Sequence, residues 1–397
     1  MLAERMSAAM KILKKLHRYG LAAAFLVFMG TMAVWNLPGA KNAAENSREK
    51  NWTEISKSLE QYYSEDVKGR YRFIEGNGLA KKLAFLRTCN DTVRLDNGDL
   101  ERLGNHFDIE DTTDSLIKLN EYCKELDIPL LCVFAPSKVC RYDTGLPLGV
   151  PDEVNPGADQ VIGSLKEAGV SVLDLRESLH KEGLSHEELF FHTDHHWNLE
   201  GAFWGYQKLA ERLNEDYGYD IEESLTDRSR FCQQDFPEGF LGSYGKRTGK
   251  YFGGVDDISV IMPDFETNLR MEAPDRKLVR EGDFSEAVLD WSQITDSGYY
   301  DESHIPYAVY MGDDYNLVRL TNKEATNKKK LLFLKDSFVR PAACFLSLGV
   351  EEIEAIDLRV EPKISVKDYL KEHKPDTVVL MYSVWALKDY NLIDFGL

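Results

Sequence analysis

Cysteine is scarce in this chain. Six cysteines in 397 residues (89, 123, 132, 140, 232 and 344) are too few for a disulfide-built scaffold, and no Cys-x-x-Cys or other metal-like spacing occurs. One or two bridges and isolated buried thiols are equally compatible with that number, and the pair Cys132 and Cys140, eight residues apart, stays open. Positive charge is also short. There are 48 Lys and Arg against 67 Asp and Glu, a formal net charge of −19. Residues 1–19 hold five basic groups against one acid, so the remainder carries −23 (−19 less +4). Such a surface repels phosphates and excludes nucleic acid as a partner. Internal repeats and low-complexity blocks are absent, and Gly and Pro are modest, which leaves the composition of a globular protein.

One long apolar run is present, and it stands apart from the rest. Arg5, Lys11, Lys14, Lys15 and Arg18 precede an almost uncharged stretch over residues 20–37, followed by a polar linker over 38–50. A bilayer-spanning helix needs about 20 apolar residues, with tolerance down to about 17. The stretch reaches that length, and its basic flank predicts a cytoplasmic tail over 1–19 with everything after the helix outside. A cleaved signal is the alternative, with Pro38-Gly39-Ala40 as a weak processing site. The expectation is therefore a single-pass cell-membrane protein with an extracytoplasmic domain over 51–397, or a secreted one if the N-terminus is removed.

After an amphipathic helix over 51–63, apolar strand-like runs alternate with helical patterns. Strands are expected at 128–135, 170–175, 331–334, 353–358 and 376–382, with helices at about 113–126, 157–168, 198–213, 338–348 and 366–372. Continuous apolar strands separated by helices predict an α/β fold: a parallel sheet with helices on both faces. The span 215–330 breaks the rhythm. It is rich in Gly, Asp and Tyr and reads as an irregular or β-containing insertion.

Chemistry concentrates in two places. Phe191-His192-Thr193-Asp194-His195-His196-Trp197 crowds proton-bonding and aromatic groups at the end of an apolar run. Leu331-Leu332-Phe333-Leu334-Lys335-Asp336-Ser337-Phe338 runs a buried strand into a Ser at the start of a helix. That Ser sits at the carboxyl edge of the sheet, where sites of open α/β folds gather, and the helix start offers backbone N–H groups to an oxyanion. Ser337 could instead simply cap the helix. The His segment favours chemistry. An Asp-x-His loop lets Asp194 orient one imidazole nitrogen of His196 while the other faces Ser337. Trp197 is expected to pack under this loop, with stacking on a sugar ring as the alternative. His192, Asp194, His195 and His196 could also suggest a metal, but the strand ends Pro136-Ser137-Lys138 and Asp174-Leu175-Arg176 are poor matches to the Asp-x-Asp pattern of further carboxylates that such a centre usually needs. No metal and no cofactor are expected.

The tetrad Asp194-His195-His196-Trp197 resembles the motif that names the DHHW family of bacterial exported proteins, itself similar to the alginate O-acetyltransferase-like branch of the SGNH hydrolase superfamily. The resemblance extends to Phe134-Ala135-Pro136-Ser137-Lys138, to Thr193 and Glu200-Gly201-Ala202 around the tetrad, to Lys335-Asp336-Ser337-Phe338 and to Ile356-Asp357-Leu358-Arg359. It implies an SGNH-like domain with Ser337 as nucleophile, His196 as general base and acid, and Asp194 as its orienting carboxylate. His195, Trp197, Asp336 and Arg359 would support them. Two departures stand out: Lys335 replaces the Gly usual before Asp-Ser, and the Gly and Asn of an SGNH oxyanion hole are not identifiable. Gly242, Ser243 and Tyr244 are the candidates for that substrate or oxyanion loop.

The implied activity is transfer of an acetyl group, through an acyl-serine, to a hydroxyl of a cell-surface polysaccharide. The implied partners are that glycan acceptor and a multi-spanning membrane acyltransferase as acetyl donor. A carbohydrate acetylesterase with the same triad, or a non-catalytic glycan-binding or assembly protein, would share the pattern.

Overall fold

A computed structural model of the chain describes residues 2–47, 51–104, 109–295, 298–301, 303–389 and 391–397. It forms two compact units, Met1–Ile74 and Glu75–Leu397.

The first unit is built on helix α1, Leu2–Glu45. Its stretch Tyr19–Glu45, 27 residues that include an 18-residue window of mean hydropathy 1.7, is long and apolar enough to cross a membrane. Pro38 does not end the helix, so residues 38–45 of the expected linker are helical, and 48–50 lie outside the described residues. Asn36 interrupts the apolar run but is satisfied. Its side-chain oxygen accepts from the Tyr62 hydroxyl at 2.9 Å and from the Lys68 backbone N–H at 2.7 Å, so no polar group is left orphaned. Tyr62 follows the expected amphipathic helix, observed as Trp52–Gln61.

The second unit is organised by an eight-stranded sheet. Its strands in chain order are β1 (Leu130–Ala135), β2 (Ser171–Asp174), β3 (Leu269–Ala273), β4 (Leu278–Gly282), β5 (Leu317–Asn322), β6 (Lys330–Lys335), β7 (Glu352–Ile356) and β8 (Thr377–Ser383). Their order across the sheet is β2-β1-β8-β6-β7-β5-β3-β4. The first five in that order are parallel, and the last three pair antiparallel. β1 and the interiors of β6 and β8 are apolar because both faces are covered. Alternate residues divide cleanly. Leu131, Val133, Phe333, Val379 and Met381 face helices α4 (Leu199–Tyr217) and α5 (Val339–Leu346). Cys132, Phe134, Leu332, Leu334, Val378 and Leu380 face α2 (Glu110–Glu125), α3 (Asn155–Glu167) and α6 (Val366–His373). A one-residue slip of β6 would exchange these two sets, so the register that places Ser337 is fixed by packing.

The span 215–330 differs from the expectation of an insertion set between two halves. Its strands β3, β4 and β5 extend the central sheet, and only Phe231–Phe240 and Asp256–Pro263 form a separate antiparallel ribbon. Charges such as Arg270, Glu272, Arg280 and Glu281 break the apolar signal of these strands while keeping the edge soluble. A small sheet of Thr88–Cys89, Thr92–Arg94 and Leu100–Arg102 also has no counterpart in the sequence reading. All six cysteines are free thiols, Cys132 and Cys140 included.

Phe333 lies in the middle of β6, two residues before the Lys335-Asp336-Ser337 turn, and is fully buried. Phe333→Ala should lower unfolding stability by about 3–5 kcal/mol, read as a lower urea midpoint at unchanged m. A loss below about 1 kcal/mol would contradict a strand packed on both faces.

Candidate active site

The His-rich segment is a closed loop. Phe190 and Trp197 form a bridge at its neck, Phe191 N–H reaches the His196 carbonyl, and Asn198 N–H donates to the Leu189 carbonyl at 2.9 Å. Asn198 then caps α4 by accepting from the Gly201 N–H at 2.9 Å. Glycines at 201 and 205 are disfavoured inside a helix, yet both are needed here. A Cβ at Gly201 would lie 2.3 Å from the Leu189 carbonyl, and one at Gly205 would lie 2.5 Å from the Trp197 ring. Trp197 is buried beneath the loop, closed to any sugar ring, and its indole N–H donates to the Tyr307 hydroxyl at 3.2 Å.

Within this loop Asp194 and His196 meet Ser337, 141 residues further along the chain. His196 Nδ1 lies 2.6 Å from Asp194 Oδ1, and His196 Nε2 lies 2.7 Å from Ser337 Oγ. Ser337 does not cap α5: the Phe338 N–H is taken by Asp336 Oδ1 at 2.9 Å, which leaves the Ser hydroxyl to the imidazole. The other Asp336 oxygen accepts from the Ser383 N–H at the end of β8, at 2.7 Å. Asp336 thus pins the turn that carries Ser337 to the neighbouring strand. Its burial pushes its carboxyl above the usual range.

The expected substrate or oxyanion loop is placed differently. The Ser243 N–H donates to Asp194 Oδ2 at 2.6 Å, the Gly242 N–H to Thr193 Oγ1 at 2.8 Å, and the Tyr244 N–H to the Thr193 carbonyl at 3.0 Å. All three N–H groups are occupied in holding the Asp-x-His loop, so none of them is left free to donate to an oxyanion. The demand for Gly is real but has another cause: a Cβ at position 242 would sit 2.3 Å from the Asp194 Cβ. His195, partly exposed, contacts Ser243 Oγ through Nδ1 at 3.0 Å and stacks obliquely on His196 with ring centres 3.8 Å apart.

Burial is the largest influence on both titrating partners. It pulls His196 down to about 3, with His195 and Arg340 acting in the same direction and Asp194 opposing. For Asp194 burial acts upward, but the neighbouring imidazoles and the hydrogen bonds from His196 and Ser243 outweigh it and hold the carboxyl well below its usual range. The resting pair is therefore an ionised carboxylate beside a neutral imidazole. Asp194, His195 and His196 lie close enough to share a metal ion. In this arrangement both His196 nitrogens and both Asp194 oxygens already have protein partners, so a metal would have to displace those bonds.

Several contributors are absent from the sequence reading. Tyr307 stacks on the His196 ring at 3.8 Å, and Arg340 lies over the other partner of that stack, 5.1 Å from the Tyr307 ring centre. Tyr307 sits in the irregular part of 215–330, where no periodicity marks it. Asp256, at the start of its ribbon strand, accepts from the His192 and Thr193 N–H groups at 2.6 and 2.9 Å. Lys138 Nζ donates to the carbonyls of Phe191 and His192, both at 3.1 Å, and Asp99 pairs with His192. The Pro-x-Lys strand end was the one available signal among these.

Lys335 does not project toward a substrate. Its ammonium is fully buried between Asp314 at 2.8 Å and Asp357 at 3.0 Å. Arg359 pairs with Asp357 at 2.6 Å and with Asp314 at 3.4 Å, so it reaches Ser337 only indirectly, through this ion cluster and Arg340.

Residues 96–244 match the family model described as the SGNH hydrolase-like domain of the acetyltransferase AlgX. The match contains Asp194, His196 and Gly242–Tyr244 but stops short of Ser337. No curated protein matches the chain by sequence. Among solved structures, PatB1 of Bacillus cereus with a sulfonyl adduct is similar at 20% identity, with a TM-score of 0.62 over 77% of this chain and 99% of that one. A DHHW family protein of Eubacterium siraeum is similar at 18% identity and TM-score 0.56, over 77% of this chain and 97% of that one. The resemblance read from the tetrad and its companions is borne out, and the fold is SGNH-like.

Gly242→Ala tests the support of Asp194. The added methyl must push the Asp194 backbone, and a displacement near 1 Å at such a site lowers rate by about a hundredfold. Labelling of Ser337 by a serine-directed phosphonate should slow by that order while circular dichroism stays native. Unchanged labelling would show that the close approach has no bearing on the Ser–His pair.

Proposed function

We propose that the chain is a membrane-anchored, extracytoplasmic O-acetyltransferase acting on a cell-surface polysaccharide. The observation that carries this reading is the unbroken Asp194–His196–Ser337 relay, with links of 2.6 and 2.7 Å in a buried setting. In the first half-reaction Ser337 Oγ attacks the acyl carbonyl while its proton passes to His196 Nε2. The imidazolium that forms is stabilised by Asp194 and then protonates the leaving group. In the second, a sugar hydroxyl gives its proton to His196, attacks the acyl-serine, and the proton returns to Ser337 Oγ. Atoms and protons balance without an added reductant or metal.

Ser337's own N–H has no acceptor among the described residues and, in this proposal, would donate to the oxyanion. A cleft of about 570 Å³ offers room for an acceptor. Its lining includes Phe236, Phe240, Tyr299 and His304, together with Leu241 and Pro306, the chain neighbours of Gly242 and Tyr307. Ser337 is not part of that lining, so the acceptor hydroxyl would enter from the cleft's edge. The apolar helix Tyr19–Glu45 supports anchoring, and an acyl donor outside the cytosol would have to be delivered across the membrane by a multi-spanning partner.

Brief exposure to an activated acetyl ester should add one acetyl group to the intact chain, mapped to Ser337 and absent in Ser337→Ala and His196→Ala. Turnover only in the presence of a polysaccharide acceptor marks a transferase, and turnover in water alone an esterase. No adduct in a folded protein would sink the enzymatic reading and leave a binding or assembly role.

The pH profile follows from the sign of the His196 shift. The base must be neutral, and a pKa pulled down to about 3 keeps it so well into acid. The acylation rate should stay flat from about pH 7 to about pH 5, where an ordinary imidazole with pKa near 6.5 would already be mostly protonated. A rate falling with a midpoint close to 6.5 would show that His196 titrates like an exposed histidine.

A further inference from the structure

We infer that the exposed tip Leu83-Ala84-Phe85-Leu86, with Lys81 and Lys82 behind it, is a docking surface for an anionic lipid bilayer. The helix Arg70–Leu83 ends there in a Schellman turn. The Leu86 N–H donates to the Lys81 carbonyl and the Phe85 N–H to the Lys82 carbonyl, both at 3.0 Å. The residue in the left-handed position of that turn is ordinarily Gly, because a Cβ is disfavoured there. Here it is Phe85, with φ of 57°. The ring gains nothing within the chain in return: Phe85 is 90% exposed, Leu83 69% and Leu86 44%. A strained backbone that presents a bare aromatic between two bare leucines is the signature of a surface covered by something else.

Charge identifies the occupant. Residues 79–87 contain Lys81, Lys82 and Arg87 and no acid, in a chain of net charge −19. Arg87 is held by the Arg94 carbonyl and Asp96, so Lys81 and Lys82 supply the outward positive charge. Aromatic and aliphatic side chains beside amines match the boundary between acyl chains and anionic headgroups. Phe85 also lies only 40 residues after the end of α1 at Glu45, within reach of any bilayer that α1 spans. The tip would be the second membrane contact beside the helix, an arrangement in which each weak contact is made effective by the other. The inference rests on the anchoring proposed above and is independent of the acyl-transfer chemistry.

The test uses the full chain, with Cys140→Ser and Cys232→Ser, in phosphatidylglycerol nanodiscs. A nitroxide is placed at Phe85→Cys or, as an aqueous reference, at the fully exposed Leu148→Cys. The ratio of oxygen to nickel-chelate collisions should be several-fold higher at 85 than at 148. It should fall toward the reference value in phosphatidylcholine discs and with Lys81→Glu and Lys82→Glu. In detergent, Phe85→Gly should raise Tm by a few degrees, because it relieves the left-handed strain and removes no packed group. Co-migration with discs while residue 85 is as open to nickel as residue 148 would overturn the inference and leave the anchoring intact. A label shielded from both oxygen and nickel would overturn it in favour of a protein contact, as would a lower Tm for Phe85→Gly. Failure to co-migrate at all would overturn the anchoring and the inference together.

Discussion

A buried carboxylate needs donors, and the arrangement of this site follows from supplying them to Asp194. Removing an ion from water costs several kcal/mol unless hydrogen bonds replace hydration. Asp194 receives three: His196 N–H at 3.1 Å and His196 Nδ1 at 2.6 Å on one oxygen, and Ser243 N–H at 2.6 Å on the other. The last of these brings the 242–244 backbone so close that only Gly fits at 242. Thr193 accepts from Gly242, and Asp256 holds Thr193 in turn. Loosening any of these contacts would leave Asp194 under-solvated and its imidazole free to turn away from Ser337. The same exclusion of water lowers His196 and keeps it neutral, so one constraint provides both the geometry and the protonation state a base requires.

The sheet solves the complementary problem of bringing Ser337 to that loop. β6 lies between β8 and β7, and the turn after it is tied to both neighbours, through Ser383 to Asp336 on one side and through Lys335 to Asp357 on the other. Where relatives are expected to have Gly, this chain has a buried ammonium that must be matched by carboxylates. Asp314 and Asp357 both have pKa values held below the usual range, against the upward push of burial, chiefly by Lys335. Their depressed values mean the cluster contributes fully near neutrality, and that contribution is lost as pH falls through them. Asp314 also reaches Arg340, which sits over Tyr307, and Tyr307 stacks on His196. Lys335 is thus tied, through Asp314 and Arg340, into the support of the imidazole.

Legibility in the sequence followed the density of the signal. β1, β6 and β8 were readable because parallel strands covered on both faces must be continuously apolar. β3, β4 and β5 were not, since one-sided strands carrying Arg270, Glu272 and Arg280 resemble a loop with charges. The Ser337, His196 and Asp194 set was legible because two residues of it sit in one crowded heptapeptide and the third ends a strand. Gly242 meets a demand for close backbone approach, and the neighbour that imposes it is Asp194. Tyr307, Asp256 and Asp99 act as single residues brought in from distant segments, and a single sequence carries no mark of such convergence.

Transfer and hydrolysis share every group in the relay, so what separates them is which hydroxyl reaches the acyl-serine. Ser337, His196 and Asp194 are all less than a tenth exposed, whereas His195 is open at the edge of the same stack. In the proposed function this depth works against casual entry of water, while an acceptor held in the neighbouring aromatic-lined cleft gains from proximity what a dilute sugar hydroxyl lacks against concentrated water. In the same proposal, anchoring would act on the other substrate. An acyl group delivered across a membrane is available only at its surface, and tethering the domain there replaces a search through solution by a high effective concentration. The chemistry of the relay is generic; on this reading, depth, cleft and tether give it a direction.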